Sequence, residues 1–300
     1  LTIRRYWDYS FHDDEDPVRT AKEYENGFFS YLNEALERQI ETANRILIPV
    51  SGGYDSRILS GLLSKRKDKG NIIALSYGHE DALDVIYGKK IAKKCDFTHY
   101  SVPIKTDYLK EFADDFVWML EGTVNCLNAH MLTTFEVIEN ENIDSVMTGF
   151  FGDILAGSGT WIYSLGVLGG TNDEKIFGEQ YSVHCDIMKD EDIQKYVRRD
   201  LQGKVLHSAR NGLWNRYLQS TSKNRYFKSR YFSMHERQRR YTSFNLYVFD
   251  HKNVLAPFLD HEFVNYVLHI PSTLLIHQNL YSSVIANNLP SLARIPYNET

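Results

Sequence analysis

Ser51-Gly52-Gly53-Tyr54-Asp55-Ser56 follows the apolar run Ile46-Leu47-Ile48-Pro49-Val50 and leads into Arg57-Ile58-Leu59-Ser60-Gly61-Leu62-Leu63. The run predicts a buried parallel strand, and residues 56–66 predict a helix. Glycines just past a strand end let backbone N–H groups approach a ligand closely. The helix that follows points its N-terminus at the same spot, so amide donors and helix dipole together make an anion site. Ser51 and Ser56 add hydroxyl donors. Asp55 is the odd member, because a carboxylate repels a phosphate. It makes sense if it holds Mg²⁺, which takes carboxylate and phosphate oxygens together. The Gly-Lys-Ser/Thr end of a Walker A loop is missing, and so is the dinucleotide fingerprint. A plain Ser-Gly-Gly turn with a capping aspartate is the alternative reading. Pro49 fits poorly inside a central strand, which places it near the strand end.

Outward from this loop the alternation continues. Apolar residues at helical spacing (Tyr24, Phe28, Tyr31, Leu32, Ala35, Leu36) predict a helix from Thr20 to Glu41. Ile72–Tyr77 reads as a second strand, 81–94 as a helix closed by Lys93-Lys94, Phe97–Val102 as a third strand, and Ser145–Thr148 as a fourth after two more helices. Strand and helix in this rhythm mean an α/β fold: a parallel sheet with helices on both faces. From Gly149 the strand rhythm fades and a mostly helical C-terminal part is expected, with 187–247 helical and Leu165–Gly178 a surface loop. Residues 1–20, with the acidic run Asp13, Asp14, Glu15, Asp16, read as a linker or arm.

Composition bounds the function. The chain has 300 residues, 43% of them hydrophobic, a net charge of −5 and a pI near 6.1, which argues against a general nucleic-acid binder. No apolar run is long enough to span a bilayer. Its three cysteines, Cys95, Cys126 and Cys185, lie far apart, which fits neither a disulfide framework nor a zinc site and points to a reduced, cytoplasmic setting.

The loop Ser-Gly-Gly-x-Asp-Ser after an apolar strand resembles the signature of the ATP pyrophosphatase (PP-loop) enzymes. Within them the chain resembles the synthetase domain of asparagine synthetases. Ile73-Ala74-Leu75-Ser76-Tyr77-Gly78 is similar to the family's second strand, with Asp84 and Ala92 following at its spacing. Thr148-Gly149-Phe150-Phe151-Gly152-Asp153-Ile154-Leu155 resembles its Gly-Glu-Gly-Ala-Asp-Glu segment, and Pro257-Phe258-Leu259-Asp260 its Pro-Phe-Leu-Asp stretch. The resemblance implies an adenine nucleotide alpha hydrolase-like fold: a PP-loop domain over 21–160 and a helical part over 161–300 packed on it. It implies ATP and Mg²⁺ as cofactors. Ser51, Gly52, Gly53 and Ser56 would grip the phosphates, Gly149 would line the same site, and Ser76 and Gly78 would lie beside the adenosine. Asp55 and Asp153 would be the catalytic, metal-binding carboxylates. The implied reaction is amide-forming ligation: a small-molecule carboxylate becomes an acyl-adenylate with release of pyrophosphate, then passes to ammonia or an amine.

Several family positions are changed. The N-terminal glutaminase domain that the resemblance would imply is not within this sequence, whether lost, cut off or never encoded, so ammonia would be expected from a separate or missing glutaminase, or the acceptor would itself be an amine. The glutamates flanking the second aspartate are Phe150 and Ile154. Asn253 and Leu255 stand where a glutamate and an arginine are common, and Gln278-Asn279-Leu280-Tyr281 occupies the region of the pyrophosphate-binding lysine. Arg237, Arg239 and Arg240 are candidates to replace that cation. His99 and His130 are candidate bases, each more simply read as structural. Tyr226, Tyr231, Tyr241 and Tyr247 line a pocket or pack a core. Two alternatives stay open: a degenerate ATP- or AMP-binding module, and another PP-loop chemistry such as tRNA thiolation or NAD synthesis.

Overall fold

The structure is a computed structural model that describes residues 4–13, 18–66, 68–157, 172–184, 190–249 and 251–297. Five strands, β1 (Ile46–Pro49), β2 (Ile72–Tyr77), β3 (Thr98–Val102), β4 (Ser145–Met147) and β5 (Asn253–Leu255), form one sheet in the order β3-β2-β1-β4-β5. Every neighbouring pair is parallel. β1 and β2 are short and almost wholly apolar because the sheet is covered on both sides. Alternate residues divide between the faces. Leu47, Ile73, Leu75 and Val146 share a core with Phe116, Leu120, Met131, Leu132, Ile138 and Val248. On the opposite face Gly88 brings a helix against Ser76 and the Val50 carbonyl.

The connecting helices are α1 (Ala21–Ile40), α2 (Tyr54–Leu63), α3 (Leu83–Cys95), α4 (Tyr108–Met119), α5 (Phe135–Asn140) and α6 (Gly152–Leu155). α1 begins with a capping box: Thr20 Oγ1 accepts from the Glu23 amide, and Glu23 Oε2 accepts from the Thr20 amide. It buries Tyr24, Phe28, Leu32, Ala35, Leu36 and Ile40, a stripe at helical spacing. Each large apolar side chain so buried contributes roughly 1.5–3 kcal/mol.

Pro49 ends β1, as its chemistry requires. The next amide, Val50, donates to Leu75 on β2. The β4 ladder reaches only Leu47. The missing proline N–H therefore falls where the β4 side no longer pairs.

The fifth strand was not expected from the sequence. Asn253–Leu255 is three residues long, too short for a period to register, and pairing with β4 defines it. Leu165–Gly178 is also not a loop throughout. Residues 165–171 lie outside the described ones, but Asp173–His184 is a helix. Its start signals are Asn172, whose Oδ1 accepts from the Lys175 amide, and the acidic first turn Asp173, Glu174.

The chain divides into two compact units. One, residues 19–157, 243–267 and 278–300, contains the sheet. The other, residues 1–18, 158–242 and 268–277, is helical in its described part: Asp190–Tyr196, Arg199–Val205, Ser208–Tyr217, Arg225–Phe232 and a π-helical turn Ser233–Thr242. Its core holds Ile176, Phe177, Tyr217 and Phe232. The arm residues are built into it. Asp8 accepts from the Tyr231 hydroxyl at 2.8 Å and pairs with His235 Nε2 at 2.7 Å. Phe11 stacks on Phe227. Asp13 accepts from the Ser222 hydroxyl and the Lys223 amide. The rest of the acidic run, residues 14–16, lies outside the described residues.

Candidate functional site

Reading the strand order from the edge, β1 is followed in the chain by β2 on one side, while its other neighbour is β4. The direction in which successive strands are added to the sheet therefore reverses between β1 and β4. In open parallel sheets, ligands bind in the crevice at the strand C-termini where such a reversal occurs. Both glycine-rich segments begin there: Ser51–Gly53 leaves β1 and enters α2, and Thr148–Phe151 leaves β4 and enters α6.

The first loop is held by its own side chains. The Ser51 amide donates to Ser56 Oγ at 3.1 Å, and the Gly53 amide to Ser51 Oγ at 3.2 Å. The Gly52 amide donates to Asp84 Oδ1 on α3 at 2.9 Å. Asp84 was legible in the sequence only as a spacing match; its bond to the loop required the fold. A second tie is Arg57, whose guanidinium donates to the carbonyl oxygens of Gly52, Ile295 and Pro296 at 2.8, 2.6 and 2.8 Å. Arg57 is buried with 1% of its surface exposed, and nothing in the sequence pattern distinguished it from an ordinary helix residue.

Asp55 sits on the first turn of α2 and Asp153 on α6, and the fold brings them together. Asp55 lies deep among protein atoms yet keeps partial access to solvent, as does Asp153. A side chain on Gly149 would come within 2.8 Å of the Asp55 Cβ, and one on Gly152 within 2.6 Å of its Oδ1. Glycine at both positions is thus what lets the second segment close over the first. Asp55 accepts hydrogen bonds from the Asp153 backbone amide and from the Tyr281 hydroxyl, the latter at 2.8 Å. Its depth, and then the neighbouring Asp153, push its carboxyl well above the usual carboxylate range. The Tyr281 hydroxyl is pushed up in turn by burial and by Asp55.

Two carboxylates crowded this way fit a cation that neutralises both. Among the described residues no group of three or more His, Cys, Asp or Glu could hold a metal by itself. A carboxylate pair is within what Mg²⁺ commonly takes, since that ion uses one or two carboxylates and completes its shell with phosphate oxygens and water.

Phe151 carries φ +77° at the start of α6 and is buried. The family pattern has glycine there, and a bulky residue in this left-handed region is strained. Ile154 is buried in the core, Asn253 and Leu255 are sheet residues, and the Leu255 carbonyl accepts from the Thr148 amide. Ile154 thus serves the core, and Asn253 and Leu255 serve the sheet.

The remaining candidates separate. Ser76 donates to the Val50 carbonyl at 2.7 Å and meets His99 Nε2 at 3.1 Å, while the Gly78 amide donates to Val102 with φ +145°, which favours glycine. His99 is half-buried and its pKa is lowered by that burial. His130 bonds the Leu127 carbonyl and packs on Tyr77 and Tyr108. Asp260 caps the helix His261–Val267 and pairs with Arg38. Arg237 and Arg239 lie on the π-helical turn of the other unit; the Arg240 and Tyr241 side chains are outside the described residues. Tyr226 and Tyr231 are buried, whereas Tyr247 is exposed. Cys95 is buried and free with its thiol pushed up to about 12, Cys126 is free, and Cys185 is outside the described residues. No described helix is long and apolar enough to cross a membrane.

A family model described as asparagine synthase matches residues 28–284. No curated protein matches the chain. Among solved structures, the chain is similar to the NH3-dependent NAD synthetase from Campylobacter jejuni in complex with nitrate, at 12% identity over 73% of this chain and 96% of that one, TM-score 0.33. It is similar to NMN synthetase from Francisella tularensis at 14% identity over 74% and 96%, TM-score 0.34. It is also similar to the U34-tRNA thiolase NcsA from Methanococcus maripaludis with its 4Fe-4S cluster, at 13% identity over 92% and 82%, TM-score 0.34. Likenesses this distant carry no residue-level argument.

Proposed function

The chain belongs to the asparagine synthase family of PP-loop ATP pyrophosphatases, and from the β1–β4 crevice we propose that it is an AMP-forming carbon–nitrogen ligase. The observation that carries this reading is the meeting of Asp55 and Asp153 at the point where the order of strand addition reverses, each beside a glycine turn.

The substrate carboxylate attacks the α-phosphorus of ATP. The bond from that phosphorus to the bridging oxygen breaks, and pyrophosphate leaves. Ammonia or an amine then attacks the acyl carbon of the adenylate, AMP departs, and the nitrogen loses a proton. Ser51, Gly52, Gly53 and Ser56 would bind the departing phosphates through the two serine hydroxyls and through loop amides that would leave their partners Ser56 Oγ, Asp84 and Ser51 Oγ to do so, aided by the α2 N-terminus. Ser76 and Gly78, at the end of β2, flank the nucleoside, and Gly149 keeps the floor of the crevice thin. Asp55 and Asp153 would hold Mg²⁺, which when bound would supply charge neutralisation to the phosphates. Most of the catalysis is positioning.

The changed acceptor-side positions Phe150, Ile154, Asn253 and Leu255 favour a carboxylate other than aspartate. The test is pyrophosphate release from ATP and Mg²⁺ with aspartate and a panel of other carboxylic acids, using ammonia and simple amines, for wild type and Asp153→Ala. Release dependent on one acid and lost in the variant supports the ligase. ATP binding with no release for any acid moves the reading to a nucleotide-binding module.

A further inference from the structure

We propose that Tyr281 is a positioning residue for the Asp55 carboxylate, holding it in the orientation that receives the cation; this rests on the reading of the crevice given above. A buried tyrosine hydroxyl needs a partner, and that of Tyr281, on the helix Asn279–Asn288, finds Asp55 Oδ1 at 2.8 Å. The ring has no exposed surface. It is packed by Phe28, Tyr54 and Phe258, with ring centroids 5.5, 5.5 and 6.4 Å away. The donor is therefore fixed in place before any ligand arrives.

Asp55 is thus supported on several sides. Gly149 and Gly152 press against it, the Asp153 amide donates to it, and Tyr281 holds Oδ1. The first three supports come from the segment after β4. Tyr281 comes from the stretch of sequence where the resemblance placed a lysine. The chemical difference matters. A lysine against Asp55 would neutralise it and weaken its pull on a cation. A phenol hydroxyl fixes the carboxylate while leaving its charge for the cation. Outer partners of this kind orient metal-binding carboxylates, and removing one typically weakens the metal about 10–100-fold.

The experiment measures Mn²⁺ binding by electron paramagnetic resonance, with a non-hydrolysable ATP analogue present, in the full chain. Wild type, Tyr281→Phe, Asp55→Asn and Phe116→Leu are compared, the last as a packing control in a buried core that does not include Tyr281. Tyr281→Phe keeps the ring and removes only the hydroxyl. The expected result is Mn²⁺ binding weakened about 10-fold in Tyr281→Phe and still more in Asp55→Asn. Phe116→Leu should retain wild-type Mn²⁺ affinity even where its melting temperature falls. In turnover, the Mg²⁺ concentration for half-activation should rise in Tyr281→Phe while KM for the acceptor stays put. Unchanged or tighter Mn²⁺ binding in Tyr281→Phe, or an equal loss in Phe116→Leu, overturns the positioning role. If wild type and Asp55→Asn bind Mn²⁺ equally, the reading of the crevice itself falls and takes this inference with it.

Discussion

The buried Arg57 guanidinium donates to the carbonyl of Gly52 at 2.8 Å and, from the same group, to Ile295 and Pro296 near the C-terminus. The glycine turn is therefore fastened to a segment more than two hundred residues away. Tyr297 lies against the guanidinium, 5.9 Å from ring centroid to charge. Replacing Arg57 with methionine strips partners from buried carbonyls and should destabilise the fold by about 3 kcal/mol. Urea denaturation of Arg57→Met reads this. A loss below about 1 kcal/mol would mean that the carbonyls find water instead.

Asp55 ties stability to pH. Its folded-state carboxyl is raised, first by depth and then by Asp153. Below its ordinary value of about 4, folded and unfolded chains both carry the proton, and its contribution is intact. As pH climbs from there through the raised folded value, the unfolded chain ionises first and stability is lost. Asp55→Asn stays neutral throughout. Without divalent cation its melting temperature should exceed that of wild type by more at pH 8 than at pH 5. Its pyrophosphate release should fall by at least about 10²-fold. Melting curves at the two pH values check the first statement, and an equal gap at both refutes it.

Phe151 offers a test of strain that separates backbone from packing. Phe151→Ala and Phe151→Gly lose the same buried ring, but only alanine keeps a Cβ at φ +77°. The glycine variant should be the more stable of the two by about 1 kcal/mol, the reverse of their helix propensities. Chemical denaturation of both variants measures the difference directly.

At Gly88 the fold leaves no room. An added Cβ would lie 2.2 Å from Ser76 Oγ and 2.4 Å from the Val50 carbonyl oxygen. Gly88→Ala should push α3 off the C-terminal ends of β1 and β2, at a loss of about 3 kcal/mol. Adding Ser76→Ala should not restore stability, because the Val50 backbone contact remains. Full rescue by the second substitution would show that the hydroxyl alone was the obstacle.

The strands and helices of the first half were legible because they carry two signals at once: a short apolar run and a following turn or helical period. β1 to β4 and α1 to α3 lie where the pattern puts them. β5 has no such signal, and neither does the helix beginning at Asp173, whose cue is a capping asparagine rather than a period. The loop at Ser51–Ser56 was legible for a different reason. Glycines between a strand and a helix have few roles, so local chemistry narrows the choice.

By itself, the sequence determined the parallel α/β architecture and singled out the first loop as a candidate anion site and Asp55 and Asp153 as candidate metal-binding carboxylates, because each depends on periodicity, glycine placement or an ordered set of motifs. Only the tertiary structure decided which side chains hold that loop. Asp84 on Gly52, Arg57 on the C-terminal carbonyls and Tyr281 on Asp55 join residues from separate elements. Such contacts have no period and no local spacing. They exist because strand order sets β4 beside β1 and packing brings the helix Asn279–Asn288 against α1 and α2, and that arrangement is a property of the whole folded chain.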